Sequence, residues 1–153
     1  ARQGKVCTET VEKVMRLPFF NQSGPKSLGT EWLETAYLPL FEQCSIPDQL
    51  RTHIEILKNL CLDTFEKLKL RSVYITGGGA FNTFLIEELQ KDFARKLIIP
   101  DPAIINYKEA LIFAFLGARF LRNETTTLCE VTGAKAALRT GILHDHQGKL
   151  SNQ

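Results

Sequence analysis

Apolar residues recur at helical spacing along most of this chain and at strand spacing in very little of it. Val11, Val14 and Met15 make one side of a short helix over 9–17, with Thr8 as its cap and Pro18 as its stop. Trp32, Leu33, Ala36, Tyr37 and Leu40 predict a second helix over 31–41, capped by Thr30 and bent or ended by Pro39. Ser45, Pro47 and Asp48 form a strong helix start, with a capping oxygen, an acid three residues on and proline in the first turn. From there Leu50, Ile54, Leu57, Cys61, Phe65 and Leu68 recur at threes and fours, predicting a helix of roughly 22 residues. His53 lies one step off that stripe and reads as a surface or boundary residue. Over 108–122, Leu111, Ile112, Phe113, Phe115, Leu116 and Phe120 leave almost no polar face, so that helix is expected to be deeply buried. Glu109 would then sit at its start, where an acid suits the dipole, after a loop over 101–106.

Strand patterning centres on one stretch, 72–82, with sequence SVYITGGGAFN. Val73, Tyr74 and Ile75 are β-branched or aromatic and read as a buried strand. Gly77, Gly78 and Gly79 follow, and Asn82 is a good N-cap for a helix over 83–95. Strand, glycine turn and helix start together let a ligand approach the backbone and favour phosphate. The pattern departs from the dinucleotide fingerprint, because Asn82 stands at its last glycine. A Walker loop is excluded too: Lys26-Ser27 resembles its end, but Pro25 precedes them and lacks the N–H that such a loop needs. A second short run, Leu97-Ile98-Ile99, is expected to pair in parallel with the first strand through the intervening helix. That second run is only three residues long, a lone strand cannot make a sheet, and the chain opens on Ala1 without methionine, so further strands are expected upstream. Residues 130–134 read as a compact glycine turn, 138–143 as a last strand or loop, and 144–153 as a loose tail.

Composition changes this picture little. The chain has 153 residues, 44% hydrophobic and 24% charged, which suits one ordinary globular domain. A net charge of +2, with basic residues scattered among acids, argues against nucleic acid as a partner. Apolar runs are too short for a membrane span, there is no leader pattern, and a cytoplasmic location is expected. Cys7, Cys44, Cys61 and Cys129 are far apart, with no C-x-x-C and no histidine at ligand spacing, so buried free thiols are expected and no metal site. His144 and His146 flank Asp145 in the tail and are not assigned to a metal.

Four separated motifs then carry a resemblance. They are Pro25-Lys26-Ser27-Leu28-Gly29 with Glu31, the stretch 73–82, Lys108-Glu109-Ala110-Leu111 with Phe113-Ala114, and Val131-Thr132-Gly133-Ala134 leading to Gly141-Ile142. In this order, over about residues 4–143, they resemble the C-terminal portion of bacterial anhydro-N-acetylmuramic acid kinases. The resemblance implies an α/β, helix-rich partial lobe of an actin-like (ribonuclease H-like) ATPase fold with a small sheet. It implies ATP and Mg²⁺ as cofactors, and phosphorylation of 1,6-anhydro-N-acetylmuramic acid with ring opening, giving N-acetylmuramic acid 6-phosphate in cell-wall recycling. Gly77, Gly78, Gly79, Ala80 and Asn82 would face the nucleotide, with Lys26 and Glu109 as further candidates for the substrate cleft. A homodimer is expected by resemblance alone. The family's G-T-S-x-D-G phosphate loop and D-T-G-P-G-N segment, which carries the aspartate base, do not occur here, so no catalytic base is named in this chain. A missing N-terminal lobe would supply both, and the chain alone is expected to be inactive. The alternatives are a non-catalytic nucleotide-binding or assembly module of the same fold, and an unrelated helical interaction domain.

Overall fold

The computed structural model describes residues 1–22 and 26–143. Pro25 and the tail with His144 and His146 lie outside the described residues. The chain divides into two compact units, Ala1–Pro100 and Asp101–Gln153, each considered by itself.

In the first unit the long helix α4, Ile46–Lys67, is the element on which the others pack. It begins where the capping pattern predicts. Ser45 Oγ accepts from the Asp48 N–H and donates to Asp48 Oδ2 at 2.7 Å. Its apolar side is not one stripe. Ile56 and half-buried Leu60 face α1, Thr8–Met15, and join Val14 and Phe41 in one cluster. Ile54, Cys61 and Phe65 face α5, Thr83–Asp92, and join Leu85 and Leu89 in another. Leu50, Leu57 and Leu68, expected in the buried stripe, are exposed, because α4 is gripped from two sides rather than seated on one surface. Fully burying a side chain of the size of Val14 or Phe41 contributes about 1.5–3 kcal/mol.

Polar contacts tie α4 to its neighbours as firmly as apolar ones. Arg51 reaches Glu88 on α5 at 2.7 Å and Glu55 at 3.3 Å, and Lys58 reaches Asp92 at 2.6 Å. Near the N-terminus Arg2 donates two parallel bonds to Glu87, at 2.7 and 2.8 Å. Thr52, fully buried, donates to the Asp48 carbonyl and accepts from the Cys7 N–H. That bond helps bring Cys7 beside Cys44, and the two form a disulfide. The expectation of free thiols is therefore wrong for this pair, which lies 37 residues apart in sequence and could not be matched from spacing. Cys61 and Cys129 are free, and half-buried rather than buried.

The helix expected over 31–41 is irregular. A turn of α-helix, α3 (Thr30–Trp32), continues as π-helix over Leu33–Tyr37 and as 3₁₀-helix over Leu38–Phe41. Pro39 cannot donate to an α-helical ladder, which accounts for the tightened last turn. Pro18 ends α1 and starts the short helix α2, Pro18–Asn21. Phe19, Phe20, Trp32, Tyr37 and Phe41 form a chain of ring contacts 5.0–6.1 Å apart, so Trp32 has a packing role. His53 stacks on Tyr37 and Phe41, and the Tyr37 hydroxyl meets His53 Nδ1 at 2.9 Å. Burial pushes the His53 imidazole down and the Tyr37 phenol up to about 12, so both are neutral near pH 7.

The sheet has two strands among the described residues. β1, Ser72–Tyr74, pairs in parallel with β2, Lys96–Ile98, with Val73 opposite Leu97. The Ile75 N–H extends the ladder to the Ile98 carbonyl at 2.9 Å. Helix α5 connects the strands and stops at Asp92, short of the expected residue 95, with Phe93 extended and buried.

The second unit corrects two expectations. Helix α6 spans Pro102–Leu121, so the stretch expected as a loop is its first turn. Asp101 caps it by accepting from the Ala103 N–H at 2.8 Å, with Pro102 at the first helical position. Glu109 therefore lies in the second turn, exposed, and its presumed role at the helix start is lost. The helix was also expected to be buried. Only Ile105 is, whereas Leu111, Phe113, Phe115 and Leu121 are 58–70% exposed. After α6 the chain folds back: the Thr126 and Thr127 hydroxyls bond the backbone at Leu138 and Thr140. A short helix α7, Cys129–Thr132, ends on Gly133 at φ 69°.

Candidate functional site

The glycine stretch lies between β1 and α5, as its pattern predicts. Gly77 adopts φ 81° and ψ 177°, a conformation essentially confined to glycine. It turns the chain out of the strand into one 3₁₀ turn, Gly78–Phe81, closed by the Ala80 N–H to the Gly77 carbonyl at 3.0 Å. Asn82 then caps α5, its Oδ1 accepting from the Leu85 N–H at 3.1 Å.

These positions are not equivalent. A Cβ built on Gly78 or Gly79 meets nothing within 4 Å, so both present bare backbone to open space. Ala80 is buried and serves packing. Asn82 has its oxygen committed to the cap, which makes it a residue that shapes the turn. Gly78 and Gly79 are thus the glycines of the stretch seen to leave open space beside their backbone. Just before them the Thr76 hydroxyl is buried without a hydrogen-bond partner, a polar group left unsatisfied at the mouth of the turn. Phe81, half exposed at the end of the same turn, offers an aromatic surface that the glycine pattern did not point to. Exposure, rather than spacing, singles it out.

Lys26 has a local role in the first unit. Its Nζ donates to the carbonyls of Phe19, Gln22 and Phe20 at 2.9, 3.0 and 3.4 Å, satisfying the end of α2, and it sits 5.1 Å from the Phe19 ring. Glu109 belongs to the other unit. The structure thus brings the glycine-turn residues together and engages Lys26 elsewhere. Among the described residues no three His, Cys, Asp or Glu side chains converge as a metal site. No helix among them is long and apolar enough to cross a membrane.

The model of one protein family, anhydro-N-acetylmuramic acid kinase, matches residues 1–145. The chain belongs to this family. Among its relatives, an anhydro-N-acetylmuramic acid kinase of Legionella pneumophila (strain Lens) is 30% identical over 151 residues, covering 94% of this chain and 41% of its own length. That of Microcystis aeruginosa is 34% identical over 157 residues, covering 93% and 41%. That of Rippkaea orientalis is 32% identical over 162 residues, covering 95% and 41%. This anhydro-N-acetylmuramic acid kinase-family chain therefore spans about two fifths of the length of the relatives it matches.

Proposed function

We propose that this chain is the C-terminal, nucleotide-contacting portion of a kinase that uses ATP to phosphorylate 1,6-anhydro-N-acetylmuramic acid with opening of the anhydro ring, in cell-wall recycling in the cytoplasm. The observation that carries the reading is the bare backbone of Gly78 and Gly79, between a parallel strand and the start of a ten-residue helix, in a chain of this family. The fold in which it would act is the actin-like ATPase fold, with nucleotide between two lobes.

The residues present fit a nucleotide at this turn. Gly78 and Gly79 admit it at van der Waals distance, the start of α5 favours negative charge, and the unsatisfied Thr76 hydroxyl offers a further partner. ATP with Mg²⁺ would supply the transferable phosphoryl group and the charge neutralisation that its transfer needs. Gly77 and Asn82 would hold the turn open, and Lys26 would brace the loop before α3. The phosphate loop, the base and most of the sugar site would lie in the N-terminal lobe, and two copies of the whole enzyme would form a homodimer.

The test compares residues 1–153 with the longest natural protein that contains them, using γ-labelled ATP and 1,6-anhydro-N-acetylmuramic acid. Phosphorylated, ring-opened sugar is expected from the long protein, and only weak nucleotide binding from residues 1–153. Robust turnover by the short chain would overturn the division of labour. Nucleotide binding without turnover in the long protein would instead mark a binding or assembly module.

A further inference from the structure

Within the first unit, Cys7 and Cys44 meet across the start of α4, and each is held there by bonds that do not involve its sulfur. The Cys7 N–H donates to Thr52 Oγ1 at 2.9 Å, and two residues earlier the Lys5 N–H donates to Asp48 Oδ1 at 2.6 Å. On the other side Gln49 Nε2 donates to the carbonyls of Phe41 and Cys44, at 3.1 and 3.0 Å. Phe41 is anchored further by burial with Val14 and Ile56. Thr10, also buried, donates to the Leu40 carbonyl at 3.2 Å and lies 3.6 Å from Cys44 Sγ. Helix α4 thus positions both cysteine backbones through contacts that do not need the sulfur–sulfur bond. Closing that bond in the folded chain orders little that is not already ordered, and opening it leaves the two sulfurs as neighbours. Both cysteines are half-buried and line a cleft of about 360 Å³, with Glu9, Lys13 and Glu42 also on its walls, which has room for a small thiol.

We infer that Cys7 and Cys44 are a reversible redox couple that opens and closes in the folded protein, releasing or tightening the 3₁₀ turn Leu38–Phe41 against α1. With a dithiol as reductant, one of its thiolates attacks one sulfur of the pair. A mixed disulfide forms, the Cys7–Cys44 bond breaks, and the other cysteine leaves as a thiolate that takes a proton from solvent. The second thiolate of the reductant then attacks the mixed disulfide, frees the remaining cysteine and closes the reductant into a cyclic disulfide. The protein has gained two electrons and two protons, and the dithiol has lost them. Oxidised glutathione runs the exchange backwards and leaves as two reduced molecules. Reduction removes one tie on the turn, whereas the bonds from Thr10 and Gln49 and the burial of Phe41 remain, so the response is local. The competing role is a staple whose loss unfolds the unit. No residue of the glycine turn takes part, so the inference stands apart from the kinase reading and its readouts include no turnover.

The experiment uses the longest natural protein that contains residues 1–153, with dithiothreitol as reductant and oxidised glutathione as oxidant. Alkylation followed by peptide mass spectrometry reads which cysteines are free, and hydrogen exchange reads the backbone. Without denaturant, dithiothreitol is expected to free Cys7 and Cys44, to speed exchange over residues 38–44 at least about tenfold, and to leave that of α4 and α5 within about twofold. Oxidised glutathione is expected to restore both the bond and the slow exchange. Cys44→Ser is expected to show the fast exchange in either reagent; should it fail to fold, Cys7→Ser gives the same reading, and the unsubstituted protein decides the matter by itself. Resistance to dithiothreitol until the protein is denatured overturns the inference. So does reduction that releases α4 and α5 together with the turn, which marks a staple. Cysteines that stay free under oxidised glutathione, or that end as separate mixed disulfides, overturn it too, as does exchange over residues 38–44 that is the same in both reagents.

Discussion

Gly77 and Gly78 are neighbours with the same side chain, and they should fail in opposite ways. At Gly77, φ 81° and ψ 177° place any Cβ in a region that costs about 1–3 kcal/mol for other residues. Removing glycine's freedom from the unfolded chain returns about 0.4–1 kcal/mol, so Gly77→Ala should destabilise by roughly 1–2 kcal/mol. In a chain of this size that lowers Tm by about 2–8 °C. At Gly78 the new Cβ meets no atom within 4 Å and φ is not in the positive range, so Gly78→Ala should be neutral or slightly stabilising. Binding should invert the order of interest. If the proposed site holds, Gly78→Leu fills the space that a nucleotide would need, and in the longest natural protein containing this chain it should weaken ATP binding at least tenfold, about 1.4 kcal/mol, with Tm nearly unchanged. Thermal unfolding followed by circular dichroism reads the first quantity, and titration calorimetry with a non-hydrolysable ATP analogue the second. Equal destabilisation by alanine at the two sites would refute the backbone argument. Unchanged affinity in Gly78→Leu would refute the placement of the nucleotide.

Two further predictions concern the frame around α4. The Cys7–Cys44 disulfide closes a loop of 37 residues, so loop entropy gives it about 4 kcal/mol; urea unfolding with and without reductant measures this, and thiol titration of the oxidised, denatured chain should count two free thiols, from Cys61 and Cys129. Four thiols would remove the bond from the account. Glu88, buried between Lys91 and Arg51, has its carboxyl held below the usual carboxylate range by the hydrogen bond from Lys91 and then by the Arg51 charge. Its contribution is present above the unfolded value near 4.3 and is lost as pH falls through the lower folded value. Glu88→Gln should cost about 2 kcal/mol at pH 7 and flatten the acid limb of the stability curve; an unchanged acid limb would assign that limb to other carboxylates.

The elements and their order were legible wherever local chemistry was sufficient. Ser45, Pro47 and Asp48 announced the start of α4, and Asn82 that of α5, because a capping side chain bonds a backbone N–H two or three residues away. The parallel pairing of 72–74 with 96–98 followed from two short apolar runs with a helix between them. The glycine turn was legible as a possible site for the same reason: its requirement on backbone conformation is local. Asp101 and Pro102 carried an equally local start signal for α6, in a stretch whose pattern reads as a loop.

What the sequence could not decide was who faces whom. Hydrophobic periodicity marks a side chain as fit for burial without naming what buries it, so Leu50 and Leu57 read like Ile54, and Phe113 like a core residue. Only the packing of α1 and α5 on opposite sides of α4 separates the first group. Pairing of Cys7 with Cys44 also depends on tertiary approach, brought about through Thr52, and leaves no trace in spacing. Lys26 stands out in the sequence by its motif neighbours alone, whereas the carbonyls of Phe19 and Gln22 that its amine engages are visible only in the folded chain. By itself the sequence determined local conformation and family, because caps, turns and motifs act over a few residues. Tertiary structure decided burial, partners and the open space beside Gly78 and Gly79, because those depend on surfaces that are distant along the chain.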